Sequence, residues 1–580
     1  MKSTAPQLAV IEGRRGFGWV DGLVMLALMG LLWSALHFGK GMLVHFDPAT
    51  MPQIDSSPSQ IPYYAGRTLV RMWIAFCFSL CFAVATGYIA AKNRTARAFI
   101  LPALDVLQSV PVLGFLSATV TAFMALFPGS LLGVECAAIF AIFTGQVWNM
   151  AFGFYHSMVT IPADMQEAAS TYGLSRGQRF RTLELPASAH SLIWNSMMSF
   201  GGGWFFVVQS EAISVMNKDI KLPGLGSYMA QAMERGDNAA AFWAVTAMIV
   251  LILASDQLVW RPLLAWADKF KIELTESTTP ATSWVYDLLR GAYLFTWLRT
   301  RVWQPPMDKT FAAAARRQLL PARLKVTAAG LLWRTVVGLL VVWIGFEILS
   351  GLIAATAALH GRLTPAILGH IVWLGLLTAL RVAAMTILAT LIWTPIGVWI
   401  GFQPRVARFA QPLAQIGASF PVNMTFPIVV GFFVATHITL NWGSILLIAM
   451  GTQWYILFNV IAGAMAIPND LQEAAHVYGL RSWNLWRTLI LPAIFPFWVT
   501  GACTAAGGAW NASIVAELAT WGDATLKADG LGAYIATVTK SGDTPLIITS
   551  IAVMSIFVVL MNKLIWRRLY AFAERRFRLD

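Results

Sequence analysis

Charged residues are scarce in this chain of 580 residues. Asp, Glu, Lys and Arg make up 12% of it and hydrophobic residues 57%, whereas about a quarter of the residues in a typical soluble domain are charged. The mean hydropathy is +0.64. This composition excludes an ordinary soluble protein and predicts a polytopic membrane protein. The net charge of +13 then reflects membrane topology, and no nucleic-acid partner is expected.

Metal-binding and nucleotide-binding patterns are lacking as well. The four cysteines lie in or near apolar runs, and neither they nor the eight histidines show the spacing of metal ligands. No GxxxxGK(S/T) loop for nucleotide phosphates occurs, and no nucleophile, base and orienting group suggest themselves. We therefore expect neither catalysis nor a bound metal or cofactor in this chain.

Long apolar runs dominate the sequence instead. Twelve of them are long enough to cross a hydrocarbon core, which takes about 20 residues. Each should be a helix, because the bilayer offers the backbone no hydrogen-bond partners. The predicted fold class is an all-α polytopic membrane protein with about 12 transmembrane helices in two parallel repeats of six. The runs lie near residues 19–37, 68–91, 99–126, 131–158, 189–212, 240–260, 331–353, 371–401, 411–436, 443–466, 493–517 and 546–566.

Lysine and arginine collect in four segments that fall on one side of the membrane when the twelve runs are threaded in order. The segments are residues 92–97, 261–334, 403–408 and 563–580. Because cytoplasmic segments carry the excess of positive charge, both termini are predicted to lie in the cytoplasm. The first run lacks a small-residue cleavage site, so we expect it to be a retained helix.

One passage of the sequence occurs twice. Residues 161–187 recur as residues 467–493, without a gap and at an offset of 306, and sixteen of the 27 aligned positions are identical. Further upstream the offset is 310, which pairs Arg71 with Arg381. The repeat therefore covers a whole domain. Two parallel halves related by an axis along the membrane normal are expected to enclose a pathway between them.

These observations predict three parts. Residues 1–268 form a first transmembrane half with the repeated loop 161–187, and residues 331–580 form a second half with the loop 467–493. Between them, residues 269–330 mix aromatic, apolar and basic side chains, as is typical of a segment at a membrane interface. We favour simple tethering as the role of this linker over regulation or partner docking.

Each repeated loop predicts a short helix. In the first copy Pro162 suits the first helical position, Asp164 complements the positive end of the helix dipole, and Gly173 can take the left-handed conformation that ends a helix. The spacing predicts a helix from Pro162 to Tyr172. Ser175 and Gln178 have capping-box spacing for a second short helix that would end at Pro186. The predicted apolar faces are Met165, Ala168, Ala169 and Tyr172 in one copy and Leu471, Ala474, Ala475 and Tyr478 in the other.

The Glu-Ala-Ala triplet with a glycine six residues after the Glu resembles the EAA loop of permeases in bacterial binding-protein-dependent ABC importers. The resemblance implies a type I ABC importer fold, in a bacterial cytoplasmic (inner) membrane, with each loop serving as a coupling helix. It also implies two ABC ATPase subunits, as a homodimer or heterodimer, that use ATP and Mg. A soluble or lipid-anchored substrate-binding protein and membrane lipid are the other implied partners. The matching residues are Glu167, Ala168, Ala169, Gly173, Glu473, Ala474, Ala475 and Gly479.

Two further strings narrow the resemblance. AWNASIVAEL at residues 509–518 and GLGAYI at residues 530–535 are similar to nitrate, sulfonate and taurine permeases. The implied cargo is a small oxyanion or organic anion, such as nitrate, a sulfonate, taurine or bicarbonate. Family members are usually single-repeat subunits that pair, whereas this chain resembles a fused, duplicated version.

Polar residues in the apolar runs are candidates for the substrate path. Because Gln209, Ser210, Asn511 and Ser513 are uncharged hydrogen-bonding groups, they could replace the hydration shell of an anion. For the intramembrane acids Glu211 and Glu517 we favour a structural or gating role over a place in an anion path. Arg71 and Arg381 could attract an anion, but we favour snorkelling to lipid headgroups.

Two other classes of function remain open from the sequence. A secondary transporter also has two six-helix halves, and a membrane scaffold or a subunit of a membrane enzyme would share the composition. Neither class gives a reason for the doubled loop. The presence of a partner ATPase distinguishes the importer from both.

Overall fold

The computed structural model describes residues 18–45, 54–108, 110–215, 218–270, 283–290, 292, 363–521 and 524–576. In these ranges the chain is almost wholly helical, as predicted, because helices satisfy the backbone internally. Two short antiparallel hairpins, which the sequence did not predict, are the exception to an all-α fold.

In the first half the elements alternate long apolar helices with short connections. Their bounds are α1 Trp19–Lys40, α2 Ile61–Lys92, α3 Arg94–Gln108, α4 Val112–Leu126, α5 Leu132–Val159, α6 Ala163–Thr171, α7 Arg176–Arg179, α8 Leu185–Glu211, β1 Ala212–Val215, β2 Lys218–Lys221, α9 Leu225–Arg235, α10 Asn238–Ser255, α11 Arg261–Ala267 and α12 Trp284–Arg290.

The second half has the same order of elements. Their bounds are α13 Pro365–Gly401, α14 Pro404–Ser419, α15 Phe426–Thr436, α16 Leu440–Met465, α17 Asn469–Val477, α18 Ser482–Leu485, α19 Leu491–Ala516, β3 Leu518–Trp521, β4 Ala524–Lys527, α20 Leu531–Ser541, α21 Thr544–Met561 and α22 Arg567–Arg576.

The element bounds repeat at the sequence offsets. Helices α6 to α10 and both strands of the first hairpin begin 306 residues before their counterparts in the second half, and α3 begins 310 residues before α14. A π-helical turn recurs at the aligned positions Phe180–Glu184 and Trp486–Ile490. The duplication is therefore present in the structure as well as in the sequence.

Eleven of the twelve predicted runs fall on helices, and the run at 331–353 lies outside the described residues. By length and composition eight helices in the described ranges are candidate spans, or nine if one bent pair is counted. Of the linker, the structure describes α12 and little else. The total of twelve transmembrane helices stays a prediction.

Two runs predicted as single spans are broken. Helices α3 and α4 meet at an angle of 88°, and Pro111 lies at the break, immediately before α4. In the second half α14 ends before Pro421, and a 3-10 turn, Val422–Thr425, leads into α15. Proline explains both breaks, because it lacks the N–H that would bond the preceding turn and it disfavours helical geometry in the residue before it.

The chain packs as two compact units that cut across the predicted halves. Of the described residues, one unit comprises 18–39, 156–194 and those from 254 to 292, and the other comprises those from 40 to 155, from 195 to 253 and from 363 to 576. The second unit has a hydrophobic core to which both halves contribute, from Val112 in α4 to Trp566 after α21. Residues of both halves are therefore buried together in one hydrophobic core.

A buried carboxylate fixes the end of α19 in the second half. One oxygen of Glu517 accepts hydrogen bonds from Thr378 (2.9 Å) and Arg381 (3.0 Å), and the other accepts from the backbone N–H of Gly532 (2.8 Å) at the start of α20. The N-terminus of a helix favours a negative charge. The side chain of Glu517 is fully buried, so these contacts compensate the charge inside the protein.

The first half builds the same arrangement from aligned residues. Glu211 accepts from Thr68 (2.7 Å), from Arg71 (2.5 Å) and from the N–H of Gly226 (2.6 Å) at the start of α9. Glu211 and Arg71 are both fully buried. We call these two arrangements the carboxylate locks.

A glycine gives the carboxylate room in each lock. A Cβ atom at Gly224 would lie 2.2 Å from the carboxyl carbon of Glu211, and one at Gly530 would lie 2.2 Å from Oε2 of Glu517. Both contacts are far below any van der Waals distance. The first glycine of each GLG string is therefore explained by the close approach of the acid to the helix end.

The two locks differ by one extra ion pair. In the first half Glu135 accepts from Arg67 (2.5 Å) and from Arg71 (2.5 and 2.9 Å). At the aligned positions the second half has Leu377 and Asn441, and Asn441 instead accepts from Arg381 through its side-chain and backbone oxygens. With this ion pair included, the lock of each half contains equal numbers of buried arginines and buried carboxylates.

Glu135→Asn alone should lower the stability of the protein by about 3–5 kcal/mol, the usual cost of removing one partner of a buried ion pair. Arg67 would lose the carboxylate to which it donates and keep its hydrogen bond to the Tyr63 hydroxyl, 3.0 Å away. Adding Arg67→Leu, which reproduces the residues of the second half, should recover most of the loss. Thermal unfolding of the purified protein in a single detergent measures both effects.

The second half supplies the reciprocal control. Asn441→Glu should destabilise the protein, and Leu377→Arg in the same chain should restore stability. Each double variant is compared with the single variant of the same half, Glu135→Asn or Asn441→Glu. If the double variant is no more stable than that single variant, its two residues are not a compensated pair.

Candidate functional site

The first repeated loop is a short exposed helix, α6, with defined ends. Pro162 precedes it as N-cap, and Gly173 after it has φ +64°, so the predicted left-handed glycine is confirmed. The predicted capping box is also confirmed, since Ser175 accepts from the N–H of Gln178 and Gln178 bonds the N–H of Ser175. The helix is one residue shorter at each end than predicted.

The second repeated loop has the same construction. Helix α17 follows Pro468, and Gly479 has φ +66°. A further feature, missed in the sequence, holds both loops: the side-chain N–H of Gln166 donates to the Ile161 carbonyl at 3.0 Å, and that of Gln472 donates to the Ile467 carbonyl at 3.0 Å. The glutamine before each Glu-Ala-Ala triplet therefore ties the helix back to the residue before the proline.

The predicted second short helix does not end at Pro186. The chain runs from α7 through the π-helical turn directly into α8, and in the second half from α18 into α19. A π turn bonds to the fifth residue back, so it accommodates the nearby proline, which has no N–H to donate. Each loop is thereby continuous with a long membrane helix.

Both triplets present their acid to the outside. Glu167 and Glu473 are exposed, whereas Ala169 and Ala475 are buried against the chain. The predicted apolar face is consequently split: its second alanine packs inward, and Tyr172 (65% exposed) and Tyr478 (83% exposed) project outward. An open groove of about 530 Å³ is lined by Gln472, Glu473, His476 and Val477.

The base of each loop differs between the halves. Arg179 lies 3.2 Å from Glu184 in the first loop, and Glu184 is buried. The aligned residues of the second loop are Leu485 and Ile490. A charged pair in one half again corresponds to an uncharged pair in the other.

The substrate-path candidates lie in different surroundings. Gln209 is half-buried, but Ser210 and Ser513 are fully buried and donate to carbonyls of their own helices, at 3.0 Å to Val207 and 2.9 Å to Trp510. Since these hydroxyls already have intrahelical partners, the structure does not present them to a path. The side-chain oxygen of the half-buried Asn511 accepts from the N–H of Val112, 2.9 Å away, at the start of α4.

The arginines and the intramembrane acids come together in the carboxylate locks. Arg71 is fully buried and Arg381 is 7% exposed. The prediction that they snorkel to lipid headgroups is therefore wrong, and neither arginine has a free positive charge that could attract an anion. Burial and bonding to an internal carboxylate are the reason. A structural role agrees with the contacts of Glu211 and Glu517.

Sequence reasoning missed several members of the locks. Thr68 and Thr378 are aligned at the offset of 310, which could have marked them as a pair. Glu135 had no such signal, because its counterpart is Asn441. No group of three or more potential metal-ligating side chains occurs in the ranges that the structure describes.

Comparison with known proteins places both halves in one family. The family model described as the inner membrane component of binding-protein-dependent transport systems matches residues 83–259 and again residues 393–579. The two matches confirm the internal duplication, and each contains one repeated loop and one lock acid.

Several curated proteins are similar to shorter stretches. The nitrate import permease NrtB of Leptolyngbya laminosa is 26% identical over 185 residues, 32% of this chain and 63% of that protein. A putative ABC transporter permease of Methanocaldococcus jannaschii is 27% identical over 138 residues, 24% of this chain and 50% of that protein. The bicarbonate transport permease CmpB of Synechococcus elongatus is 27% identical over 146 residues, 25% of this chain and 51% of that protein.

The matches span about half to three fifths of the length of these relatives. The family model, by contrast, covers more than half of this chain in two separate blocks. This chain belongs to the family of inner membrane components of binding-protein-dependent transport systems, as a duplicated member.

Proposed function

We propose that the chain is the permease of an ATP-driven importer, which moves a small anion into the cytoplasm by alternating access of a path between its two halves. The paired, exposed loops carry this proposal, because each ends in a positive-φ glycine, presents an exposed glutamate and continues directly into a membrane helix. Two separate ATPase subunits would bind the loops, and a soluble or lipid-anchored binding protein would deliver the anion.

The assignment of roles follows from exposure. Glu167 and Glu473 are the exposed charges of the two triplets, and they suit ion pairs with a partner. The membrane would be a bacterial cytoplasmic membrane, with both termini in the cytoplasm. The chain itself would bind no cofactor and catalyse no reaction, since ATP and Mg would be used by the partner.

The class of cargo follows from the relatives and from the locks. Two relatives are named for nitrate and bicarbonate, and an anion is compatible with a chain whose intramembrane acids are neutralised internally. Half-buried amides such as Gln209 and Asn511 would then replace the hydration of the anion without attracting a cation.

Reversing the charge of both loops should abolish assembly. Glu167→Lys and Glu473→Lys together are expected to cost about 2–5 kcal/mol of binding free energy per loop, the range for a lost buried charge pair at an interface. Co-purification with the ATPases and ATP-dependent uptake in proteoliposomes are the measurements. Glu574→Lys, which changes an exposed acid in α22, serves as the control and should leave both unchanged.

Unimpaired assembly and uptake in the double variant would overturn the proposal. Uptake driven by a proton or sodium gradient, by the purified chain without ATPases, would indicate a secondary transporter instead.

Gln209→Ala should slow uptake by about ten- to a hundredfold, because a hydrogen bond to a charged group contributes about 1.5–3 kcal/mol. Assembly with the ATPases should not change. Val515→Ala alters the aligned apolar position of the second half and should leave uptake at the level of the unmodified protein. Equal uptake by both variants would exclude Gln209 from the path.

A further inference from the structure

Among the residues that the structure describes, no side chain of the first half caps the start of helix α4. Its first turn follows the 88° break, Pro111 is the N-cap, and Pro111 supplies no side-chain hydrogen bond. The first N–H groups of a helix have no intrahelical partners and need acceptors from elsewhere. In a membrane interior, water is not available to supply them.

The acceptor comes from the opposite half. Asn511, 399 residues further along the chain, accepts from the N–H of Val112 at 2.9 Å. The same turn packs closely against the second half, since a Cβ atom at Gly114 would lie 3.0 Å from Cγ1 of Ile551 and 3.9 Å from Cδ1 of Ile514. The break of the first half is thus fixed to α19 and α21 of the second.

No equivalent clamp comes from the aligned residue in the other direction. The counterpart of Asn511 is Phe205, whose side chain has no hydrogen-bond acceptor, and the counterpart of Gly114 is Met424. In the second half the break opens with a 3-10 turn in which the Thr425 hydroxyl donates to the Val422 carbonyl at 2.6 Å. The segment before that break contacts the first half in a different way: the side-chain N–H of Gln415 donates to Sδ of Met197 at 2.9 Å, and a Cβ atom at Gly201 would lie 2.5 Å from the Ser419 hydroxyl oxygen.

Asn511 lies on a helix that starts at a repeated loop. From Ser482 the chain is helical to Ala516, 35 residues in all, which is about 50 Å at 1.5 Å per residue. Glu517, the next residue, is held in the carboxylate lock. A displacement of the second loop therefore reaches the break in the first half through one continuous helix and one side-chain hydrogen bond.

We propose that Asn511 is a positioning residue that transmits movement of the second repeated loop to the broken membrane segment, α3 and α4, of the first half. The aligned Phe205 cannot make the same hydrogen bond to the second half, because its side chain has no acceptor. The proposal rests on the proposed function for the source of the movement, but the clamp itself is a property of the chain alone.

The clamp is tested first without any ATPase. Hydrogen exchange of the purified chain in lipid nanodiscs should show amides at the start of α4 exchanging about tenfold faster in Asn511→Leu, which has similar volume and no acceptor. Asn511→Asp, which keeps an acceptor, should retain the protection, and Phe205→Leu should not change it. Equal protection in Asn511→Leu and the unmodified protein would overturn the proposal.

The transmission is tested in the assembled importer. Binding of ATP with vanadate should alter exchange both in the loop 467–493 and at the start of α4 in the unmodified protein. In Asn511→Leu the loop should still respond while the start of α4 does not. A normal response of α4 in Asn511→Leu would exclude transmission through Asn511. If neither the unmodified protein nor the variants bound an ATPase, the proposed function would be wrong, but the hydrogen bond between Asn511 and Val112 would be unaffected by that result.

Discussion

Compensation of charge inside an apolar medium is the constraint on which this structure depends. An isolated carboxylate or guanidinium is expensive to bury, and both halves bury one at the end of a long helix. In both halves the carboxylate accepts hydrogen bonds from a threonine, an arginine and the N-terminal N–H groups of the following helix. A glycine, which has no side chain, leaves room for the carboxylate to approach that helix. The lock fixes the end of the helix that begins at the repeated loop.

The comparison of halves shows how strictly that constraint operates. Where the first half has Arg67 and Glu135, the second has Leu377 and Asn441, so a positive and a negative group are absent together. At the base of the loops the pair Arg179 and Glu184 is replaced in the same way by two apolar residues. At both places the charged residues differ as a pair, because removing one member leaves the other without compensation.

Local features of the sequence were sufficient for the helices and for the ends of the loops. Gly173 and Gly479 have the predicted positive φ because the requirement for a left-handed residue is met within a few positions. The locks could not be predicted, since Arg71 and Glu211 are 140 positions apart and nothing in either neighbourhood identifies the partner. Glu135 could not be found by comparing the two halves, because that comparison detects only residues that are the same in both. The hydrogen-bond partners of Ser210 and Ser513 could not be predicted either, because composition does not reveal that a hydroxyl donates to a carbonyl of its own helix.

Exposure separates two kinds of acid in this chain. Glu211 and Glu517 are buried and accept hydrogen bonds from donors of the protein, whereas Glu167 and Glu473 are exposed on the repeated loops. The charge of each lock is therefore balanced inside the protein, because every buried arginine of a lock faces a buried carboxylate.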